Sequence, residues 1–429
     1  MIKRLLKALP VIVLASCFTL ILDHYGWLRS FETGALDRFF LLREKVPAHD
    51  VVLVEIDDAD YLQLFHETSP LDPPTISDVI DAIAKNEPRL IAIDIDTSAA
   101  VFRNVKVLSQ WPPVVWARGA HQEDKSLVLE GILGNNDRHQ DLTSGIAVMP
   151  VDSDSKIRHF QREYLATLPN GKDDSIVRVD SFHWAIVKKY CEIARTDDRC
   201  KKLFAGEVTR EAADQDLILN LAIDPYAFDP HIRVSQVLDQ ANTGNPGGVP
   251  PLLLSMKDKI VLLGGNYAAA SDYHLTGNGT ESGTELAAIA IESELSGTRL
   301  RHASHFVLVI AEVIAGLALV FLNYFFPIGW KHLLALASIP VLALLGSWIV
   351  FSSLALWVSF VPTLIATQFH RLYDSLAETK RLKKEVVDLK AAMAAHKQDS
   401  RNGEIEDPMT SETVADNSGK AEKEPSAGL

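Results

Sequence analysis

Two apolar runs of the sequence end in acidic residues, and a third ends in a glycine turn. Asp57-Asp58 closes one run, Asp94 and Asp96 close a second, and Gly264-Gly265-Asn266 closes a third. Open α/β sheets bind ligands beyond the carboxyl ends of their strands, so these residues are candidates for a common site. Carboxylates there could hold Mg²⁺ or Ca²⁺, or accept hydrogen bonds from a polar ligand. The alternative is that the acids cap helices and solvate the turns after the strands.

A second acidic group with a histidine follows the glycine turn, at Asp272 and His274. These two side chains can both point into one cleft, or they can make local hydrogen bonds. The ligand-binding candidates are therefore Asp57, Asp58, Asp94, Asp96, Asp272 and His274, and the sequence leaves metal binding open. No dinucleotide fingerprint, P-loop, nucleophile elbow or zinc-protease pattern occurs, so we predict no catalytic residues and no cofactor.

The composition argues against nucleic-acid binding and favours a membrane protein. The chain has 429 residues with 42 Lys+Arg and 56 Asp+Glu, a formal net charge of −14. Binding of nucleic-acid phosphates needs clustered Lys and Arg, so we expect no nucleic-acid partner. Apolar residues make up 47% of the chain, and much of this content lies in long uninterrupted runs.

Four membrane spans are predicted from these runs, because about 20 apolar residues cross a bilayer. The first runs from Leu5 to Leu22, and the second from Phe306 to Phe326. Leu333 to Phe369 contains no charged residue and would be about 55 Å long as a helix. It should therefore form two spans, with a tight turn near Ser352-Ser353.

Positive residues flank the first and the last of these spans. They are Lys3, Arg4 and Lys7 before, and Arg371, Lys380, Arg381, Lys383 and Lys384 after. The positive-inside rule then places both termini in the cytoplasm and residues 27–304 outside. A cleaved signal peptide is an alternative for the first span, and Leu14-Ala15-Ser16-Cys17 resembles a lipoprotein cleavage box. The apolar run continues to Leu22, which favours a retained anchor.

Glu312 is the one charged residue of the second predicted span. A carboxylate at that depth needs a partner, a proton or a place inside the helix bundle. A packing seam beside Ala311, Ala315 and Gly316 is the favoured interpretation. A role in coupling or in dimerisation is the alternative.

Two cysteines, Cys191 and Cys200, fall in the predicted exported domain. Their separation of nine residues allows a local disulfide in an oxidising compartment. Whether the bond forms depends on the distance between the two Cα atoms, which the sequence leaves open.

The order of apolar strands and helical patterns defines the expected fold class. Strands are predicted at 51–57, 90–96, 114–117 and 259–264, and helices at 75–85 and 289–295. Continuous apolar strands that alternate with helices are typical of a parallel sheet buried on both faces. We therefore predict an α/β extracytoplasmic domain with a mostly parallel central sheet, an α-helical four-span membrane region and a C-terminal helix.

Several stretches, taken in order, resemble the CHASE type 2 family of bacterial extracytoplasmic sensory domains. They are Leu36-Asp37-Arg38-Phe39-Phe40-Leu41-Leu42-Arg43, Val54-Glu55-Ile56-Asp57-Asp58, Pro88-Arg89-Leu90-Ile91-Ala92-Ile93-Asp94-Ile95, Asp152-Ser153-Asp154-Ser155-Lys156-Ile157-Arg158, Lys259-Ile260-Val261-Leu262-Leu263-Gly264-Gly265, Gly283-Thr284-Glu285-Leu286 and Glu292-Ser293-Glu294-Leu295-Ser296-Gly297. The resemblance covers roughly residues 30 to 300. It implies a sensor coupled to a cytoplasmic kinase or nucleotide cyclase.

The chain departs from that family layout after the last predicted span. About 59 residues remain, too few for such a catalytic domain, so we expect the output enzyme to be a separate protein. Residues at 3-4 spacing predict a short coil between two copies of the chain, namely Leu372, Ser375, Thr379, Leu382, Val386, Leu389 and Met393. A solvated helix is the alternative. From Gln398 onward large apolar residues are almost absent, which predicts a disordered acidic tail.

These observations divide the chain into five predicted parts. They are 1–26 with the first span, 27–304 as the sensory domain, 305–370 with three spans, 371–397 as the coil and 398–429 as the tail. The predicted function is a sensor in the bacterial cytoplasmic membrane that binds an extracytoplasmic ligand or partner and signals to a cytoplasmic enzyme in trans. The alternatives are an envelope assembly protein without a small ligand and, third, a periplasmic metal-dependent hydrolase.

Overall fold

The computed structural model describes residues 10, 13–19, 21–22, 25–123, 126–134, 142–167, 176–205, 217–227, 232–243, 255–325 and 330–403. Its helices are α1 (Arg29–Leu42), α2 (Asp58–Gln63), α3 (Pro73–Ala84), α4 (Phe182–Ile193), α5 (Asp198–Ala205), α6 (Val234–Thr243), α7 (Gly283–Leu295), α8 (His305–Phe325), α9 (Trp330–Leu354) and α10 (Val361–Gly403). Short 3-10 helices lie at Ala100–Asn104 and Ala268–Ala270. Residues 1–367 and 368–429 form two compact units.

The strands are short except for two that carry seven residues each. In chain order they are β1 (Val46–Pro47), β2 (Val51–Asp57), β3 (Leu90–Asp94), β4 (Val114–Arg118), β5 (Ala120–Glu123), β6 (Ser126–Leu129), β7 (Ser144–Ile146), β8 (His159–Phe160), β9 (Glu163–Thr167), β10 (Ile176–Asp180), β11 (Leu217–Ile218), β12 (Ile223–Asp224), β13 (Ile232–Arg233), β14 (Ile260–Asn266), β15 (Tyr273–Leu275), β16 (Thr280–Ser282), β17 (Arg301–His302) and β18 (Leu356–Trp357).

Six of these strands form a parallel central sheet in the order β13-β2-β14-β3-β4-β7. Val261 of β14 lies between Val52 of β2 and Ile91 of β3. Val and Ile are frequent in these strands because their side chains pack well on a pleated surface that is covered on both sides. The predicted α/β fold with a mostly parallel sheet is confirmed.

Both faces of this sheet are covered by helices. Alternate residues of β2 point to opposite faces. Val52 and Val54 join the core that contains α3 and α6. Val51 and Leu53 join the core that contains α4 and α7. Because all six strands are parallel, their carboxyl ends lie at the same edge of the sheet, between the two cores.

A second, four-stranded sheet has the order β10-β9-β6-β5 and was not predicted. Its pairs are antiparallel except for the parallel pair of β6 and β9. The strands are short, and Leu165 and Ile176 are exposed. Such strands carry a weak apolar pattern in sequence, which is why the prediction missed them.

The long apolar stretch from Leu333 to Phe369 is divided between two helices, α9 and α10. Helix α9 continues through Ser352-Ser353 and ends at Leu354, where Ala355 has a positive φ of 50°. Strand β18 follows, and α10 then runs without interruption to Gly403. Helix α9 therefore ends one residue after the two serines, so the break between α9 and α10 lies close to the predicted turn.

None of the helices within the described ranges combines the length and the apolar content needed to cross a bilayer. The segment predicted as the first span is described only at residues 10, 13–19 and 21–22, which are helical. The four spans stay a prediction. Residues 404–429 of the predicted tail lie outside the described part of the chain.

A disulfide joins the end of α4 to α5. The sulfur atoms of Cys191 and Cys200 are 1.97 Å apart, and their Cα atoms are 5.4 Å apart. This Cα separation lies within the range that a disulfide allows. Cys17 is a free and exposed cysteine.

Candidate functional site

Two adjoining cavities lie beyond the carboxyl ends of β3, β4, β7 and β14. The larger has a volume of about 410 Å³ and is lined by Tyr61, Ser69, Leu71, Asp94, Ile95, Asp96, Ala117, Gly119, Ala147, Gly265, Tyr267, Ala269, Ala270, Ser271 and Asp272. The smaller has a volume of about 300 Å³ and is lined by Asp94, Ile146, Ala147, Val148, Met149, Val151, Ile157, Phe182, His183, Asp272, His274, Gly283, Leu286 and Ala287. They share Asp94, Ala147 and Asp272. We call the pair of cavities the cleft.

Asp94 is the acid at the centre of the cleft. It is the last residue of β3, and its Oδ2 accepts a hydrogen bond from Thr284 Oγ1 at 3.1 Å. Burial raises the pKa of Asp94 to about 7, and the negative charge of Asp272 contributes to the rise. The carboxyl group can therefore exist in both protonation states near neutral pH. It can donate or accept a hydrogen bond toward a bound molecule.

Asp272 and His274 meet directly beside Asp94. His274 Nε2 lies 2.9 Å from Asp272 Oδ1. The carboxylate of Asp272 also lies close to Gly283, the first residue of α7. A Cβ added at Gly283 would collide with Asp272 Oδ2. Glycine at the start of α7 thus allows the acid to approach the helix. The helix begins there because Ser282 and Glu285 form a capping box.

His183 is a buried histidine of the smaller cavity that the sequence did not single out. It lies in the first turn of α4, and its Nε2 is 3.0 Å from Ser181 Oγ. Burial lowers the pKa of His183 to about 4, so its ring is neutral at neutral pH. The Nε2 atom is engaged by Ser181, and the neutral ring adds no charge to the wall of the cavity.

The remaining predicted site residues divide between the cleft and local capping roles. Asp96 lines the larger cavity and accepts the backbone N–H of Ser98 at 2.8 Å. Asp57 caps α2 through the N–H of Asp60 at 2.7 Å. Asp58 accepts the N–H of Ala268 at 2.8 Å.

The cleft thus brings together four of the six predicted ligand-binding residues, Asp94, Asp96, Asp272 and His274. Asp57 and Asp58 lie at the same edge of the sheet but are absent from the described lining of either cavity. Within the described ranges, no group of three or more His, Cys, Asp or Glu side chains is placed to hold a metal ion.

A buried arginine next to the cleft joins distant parts of the chain. The side chain of Arg158 is 1% exposed. Its Nε and Nη2 donate to Asp37 at 2.6 and 2.8 Å, and its Nη1 donates to Asp152 at 2.7 Å. Asp154 and Lys156 complete this ion cluster, with Lys156 Nζ 2.8 Å from Asp37. We call these five residues the Arg158 cluster.

The electrostatics of the Arg158 cluster favour the charged forms of its acids. Burial alone would raise the pKa of Asp37, but Arg158 and Lys156 lower it. Burial would also raise the pKa of Asp152, but hydrogen bonds from His159 and Arg158 lower it to about 2. The cluster therefore stays ionised from mildly acidic pH upward.

The Arg158 cluster extends to β17 through two histidines. His159 Nδ1 lies 3.2 Å from Asp152 Oδ1. The rings of His159 and His302 stack with centroids 5.5 Å apart. His302 belongs to β17, which pairs with β18 and precedes α8. The cluster therefore contacts α1 on one side and the strand before α8 on the other.

Aromatic side chains pack around Phe39, which lies in the same helix as Asp37 of the Arg158 cluster. The ring of Phe39, two residues after Asp37 in α1, lies 5.2 Å from Trp348, 5.5 Å from Phe351 and 5.3 Å from Trp357. Such edge-to-face contacts are favourable beyond the burial of the rings. These contacts join α1 to α9 and β18. Because β18 also pairs with β17, we call α1, β17 and β18 together the junction.

The sequence reasoning did not place the Arg158 cluster in a functional role, although the stretches that resemble the CHASE type 2 family contain all five of its residues. Asp37 in the segment 36–43 and Arg158, which follows two acids in the segment 152–158, could have indicated an ion pair. Opposite charges within apolar surroundings need partners. The pairing itself was invisible, because the two stretches lie 121 residues apart.

Glu312 of α8 is buried and contacts Thr19 of the helical residues 13–19. Its Oε1 accepts a hydrogen bond from Thr19 Oγ1 at 2.6 Å. Ala311 and Ala315, the small residues that the sequence placed beside Glu312, are partly buried. A structural contact between two helices and a coupling contact both use this geometry.

The fold and the cleft define the chain as an α/β domain with a ligand-sized site at the carboxyl edge of a parallel sheet, joined to long helices. Comparison with protein families gives a match to the CHASE2 domain over residues 11–325. The chain belongs to the CHASE2 family, which is a family of sensory domains rather than of catalytic ones. Comparison with curated proteins and comparison with solved structures each give no significant match.

Proposed function

We propose that this chain is a non-catalytic sensor subunit of a bacterial cytoplasmic membrane that binds a small extracytoplasmic ligand in the cleft. Both termini would lie in the cytoplasm, and residues 27–304 would lie outside. The signal would pass through the membrane helices to a separate cytoplasmic protein. One observation carries the proposal: a single chain segment forms a wall of the cleft and also holds α1.

That segment runs from Met149 to Arg158. Met149, Val151 and Ile157 line the smaller cavity. Arg158, the next residue, binds Asp37 of α1. A ligand that displaces the cavity wall therefore acts on the residue that fixes the first helix of the domain.

A second wall of the cleft reaches the same acid. Ile157 N–H donates to the carbonyl oxygen of Leu275 at 2.8 Å, next to His274. Two residues further, a Cβ on Gly277 would lie 2.6 Å from Asp37 Oδ1. Both walls of the smaller cavity are thus in contact with α1, which supports a mechanical link from the cleft to the junction.

The lining of the cleft favours a particular ligand chemistry. Asp94, Asp96 and Asp272 offer carboxyl groups, and no lysine or arginine occurs among the described residues of either lining. Met149, Phe182 and Leu286 supply apolar surface. The cavities are of the size that holds small metabolites. We therefore propose a small molecule with N–H or O–H donors and an apolar part.

Signalling requires two states of the junction that differ in ligand affinity. The ligand would favour one arrangement of the segment 149–158, and α1 would follow because Asp37 is bound to it. The contact of His159 with His302 would carry the same change to the start of α8. In this scheme the helices move because the ligand binds one arrangement of the junction more tightly than the other. A ligand that bound both arrangements equally would cause no movement.

Hydrogen exchange on the full chain in lipid nanodiscs tests the binding step. The probes are amino acids, small amines and monosaccharides. A binding probe should protect the segments 149–158 and 29–42. Ala147→Phe, which fills the space shared by both cavities, should abolish this protection, whereas Ala391→Phe on the exposed surface of α10 should retain it. Equal protection in the Ala147 variant, or no binding by any probe class, would contradict the proposal.

Affinity purification from the native membrane, followed by mass spectrometry, tests the output step. Recovery of a cytoplasmic kinase, cyclase or protease that is lost on deletion of residues 371–429 is the expected result. Recovery of envelope proteins alone, unaffected by the deletion, would favour the envelope assembly function instead.

A further inference from the structure

Helix α10 exposes an apolar stripe along residues 372–393. Leu372, Leu382, Val386, Leu389 and Met393 are between 51% and 62% exposed. Their positions follow the seven-residue repeat of a coiled coil, in which the first and fourth residues (a and d) face a partner helix. Ser375 and Thr379 occupy the two remaining positions of the repeat. Exposure of the five large apolar side chains is costly in water, which favours a partner for the stripe.

Residue types within the repeat indicate the number of strands. With Val386 at an a position, Leu382 and Leu389 fall at d positions. A β-branched residue at a with leucine at d favours a parallel two-stranded coil over larger bundles. The stripe extends from 372 to 393, about three repeats.

The charges beside the stripe select the orientation of the partner. Glu378 and Glu385 occupy the g positions, and Lys383 and Lys390 occupy the e positions. In a parallel pair each g residue faces the e residue five positions later in the other helix. Glu378 then faces Lys383 of the second copy, and Glu385 faces Lys390 of the second copy, so that four ion pairs form in the dimer.

An antiparallel pair of the same helix would be unfavourable. There the g positions face each other and the e positions face each other, which places Glu beside Glu and Lys beside Lys. A foreign helix would need a matching pattern of its own, whereas a second copy supplies it automatically.

We infer that residues 372–393 are a homodimerisation surface, on which two copies of this chain form a parallel coiled coil in register. The inference goes beyond the proposed sensing function, because it needs no ligand and no particular receiver. It also gives a sensor a defined geometry, since both copies would present their cytoplasmic ends side by side.

Disulfide crosslinking of the full chain tests the register. Cys17→Ser removes the free thiol, and a single cysteine is then introduced at a d position (Leu389→Cys) or at the opposite face of the helix (Lys384→Cys). Mild oxidation should give a covalent dimer of the Leu389 variant and little of the Lys384 variant. Equal crosslinking of both variants, or none of the Leu389 variant, would overturn the inference.

Charge reversal tests the pairing independently of crosslinking yield. One variant carries Lys383→Glu and Lys390→Glu, and the other carries Glu378→Lys and Glu385→Lys, each with Leu389→Cys and a different tag. Each variant alone should lose covalent dimer, and co-expression should restore it as a mixed dimer. Unchanged self-crosslinking of either variant would show that another contact holds the chains together.

Discussion

Arg158 binds both carboxylate oxygens of Asp37, although the two residues are 121 positions apart in sequence. Charge-assisted bidentate pairs of this kind are geometrically specific as well as strong. The arginine is buried, so its charge depends on these acids for compensation. This pair fixes α1, which follows the first predicted span, onto the wall of the cleft.

Arg158→Met should destabilise the domain by about 3 kcal/mol, since removal of one partner leaves buried charges uncompensated. Asp37 and Asp152 would lose their shared guanidinium. Chemical denaturation of the full chain in detergent, followed by tryptophan fluorescence, measures the change. Hydrogen exchange of the segment 29–42 should increase at the same time.

Arg178→Met is the matched control for this variant. Arg178 Nη1 is 3.4 Å from Glu163 Oε2, and its side chain is 40% exposed. An exposed pair contributes about 0 to 1 kcal/mol, so this variant should unfold nearly as wild type does. Similar losses in both variants would remove the special role assigned to the Arg158 cluster.

The sequence predicted the central sheet well because the determining signal was local. The apolar runs at β2, β3, β4 and β14 needed burial on both faces, and the intervening pattern of Ile76, Val79, Ile80 and Ile83 required a helix. The antiparallel sheet was missed since β5 and β6 have no comparable run.

The candidate site was partly predictable for a geometric reason. Parallel strands end at the same edge, so Asp94 and Asp96 could be placed near the turn that carries Asp272. The close contact of Asp272 with Gly283 and the approach of Thr284 to Asp94 depend on how α7 packs on the sheet. Such tertiary placement leaves no periodic signal in the sequence.

Asp94→Asn should change the pH dependence of stability. The pKa of Asp94 is about 7 in the folded chain and about 4 when unfolded. The folded state therefore binds the proton more tightly, and the wild type loses stability as pH rises from about 4 to 7. Asparagine cannot ionise, so the variant should gain about 2 to 4 kcal/mol relative to wild type between pH 4 and 8.

The comparison must be made between the two proteins at each pH, because His183 acts in the opposite direction. Its pKa is lowered to about 4, so its contribution to stability is lost as pH falls from about 6.5 to 4. Both proteins contain His183, and its effect cancels in the difference. A difference that stays constant with pH would show that Asp94 is an ordinary carboxylate.

Gly283→Ala should displace Asp272 from the start of α7. The new Cβ would collide with Asp272 Oδ2, and the carboxylate lies at the end of a side chain that can rotate. The negative charge then moves away from Asp94, so the pKa of Asp94 should fall. Both proteins should begin to lose stability near the unfolded pKa of about 4, but the loss in the variant should end at a lower pH and be smaller than in wild type, with little difference between them at pH 4.

Gly34→Ala in α1 is the control for this change of one methyl group. A Cβ on Gly34 would have no atom within 4 Å, and alanine is about 1 kcal/mol better than glycine inside a helix. This variant should be equally or more stable at every pH. The assignment of Asp272 as the neighbour that raises the pKa of Asp94 fails if both variants show the wild-type pH profile.

The Cys191–Cys200 disulfide should stabilise the domain by about 2 to 3 kcal/mol, as expected for a cross-link that closes a loop of nine to ten residues. Cys191→Ser together with Cys200→Ser should lower the unfolding midpoint by the corresponding amount, and wild type in a strong thiol reductant should approach the same value. Cys17→Ser leaves the bridge intact and should unfold as wild type does, with or without reductant. If the reductant lowers the midpoint of the doubly substituted chain as well, the effect does not arise from this bridge. Unfolding followed by circular dichroism in matched oxidised and reduced samples distinguishes these outcomes.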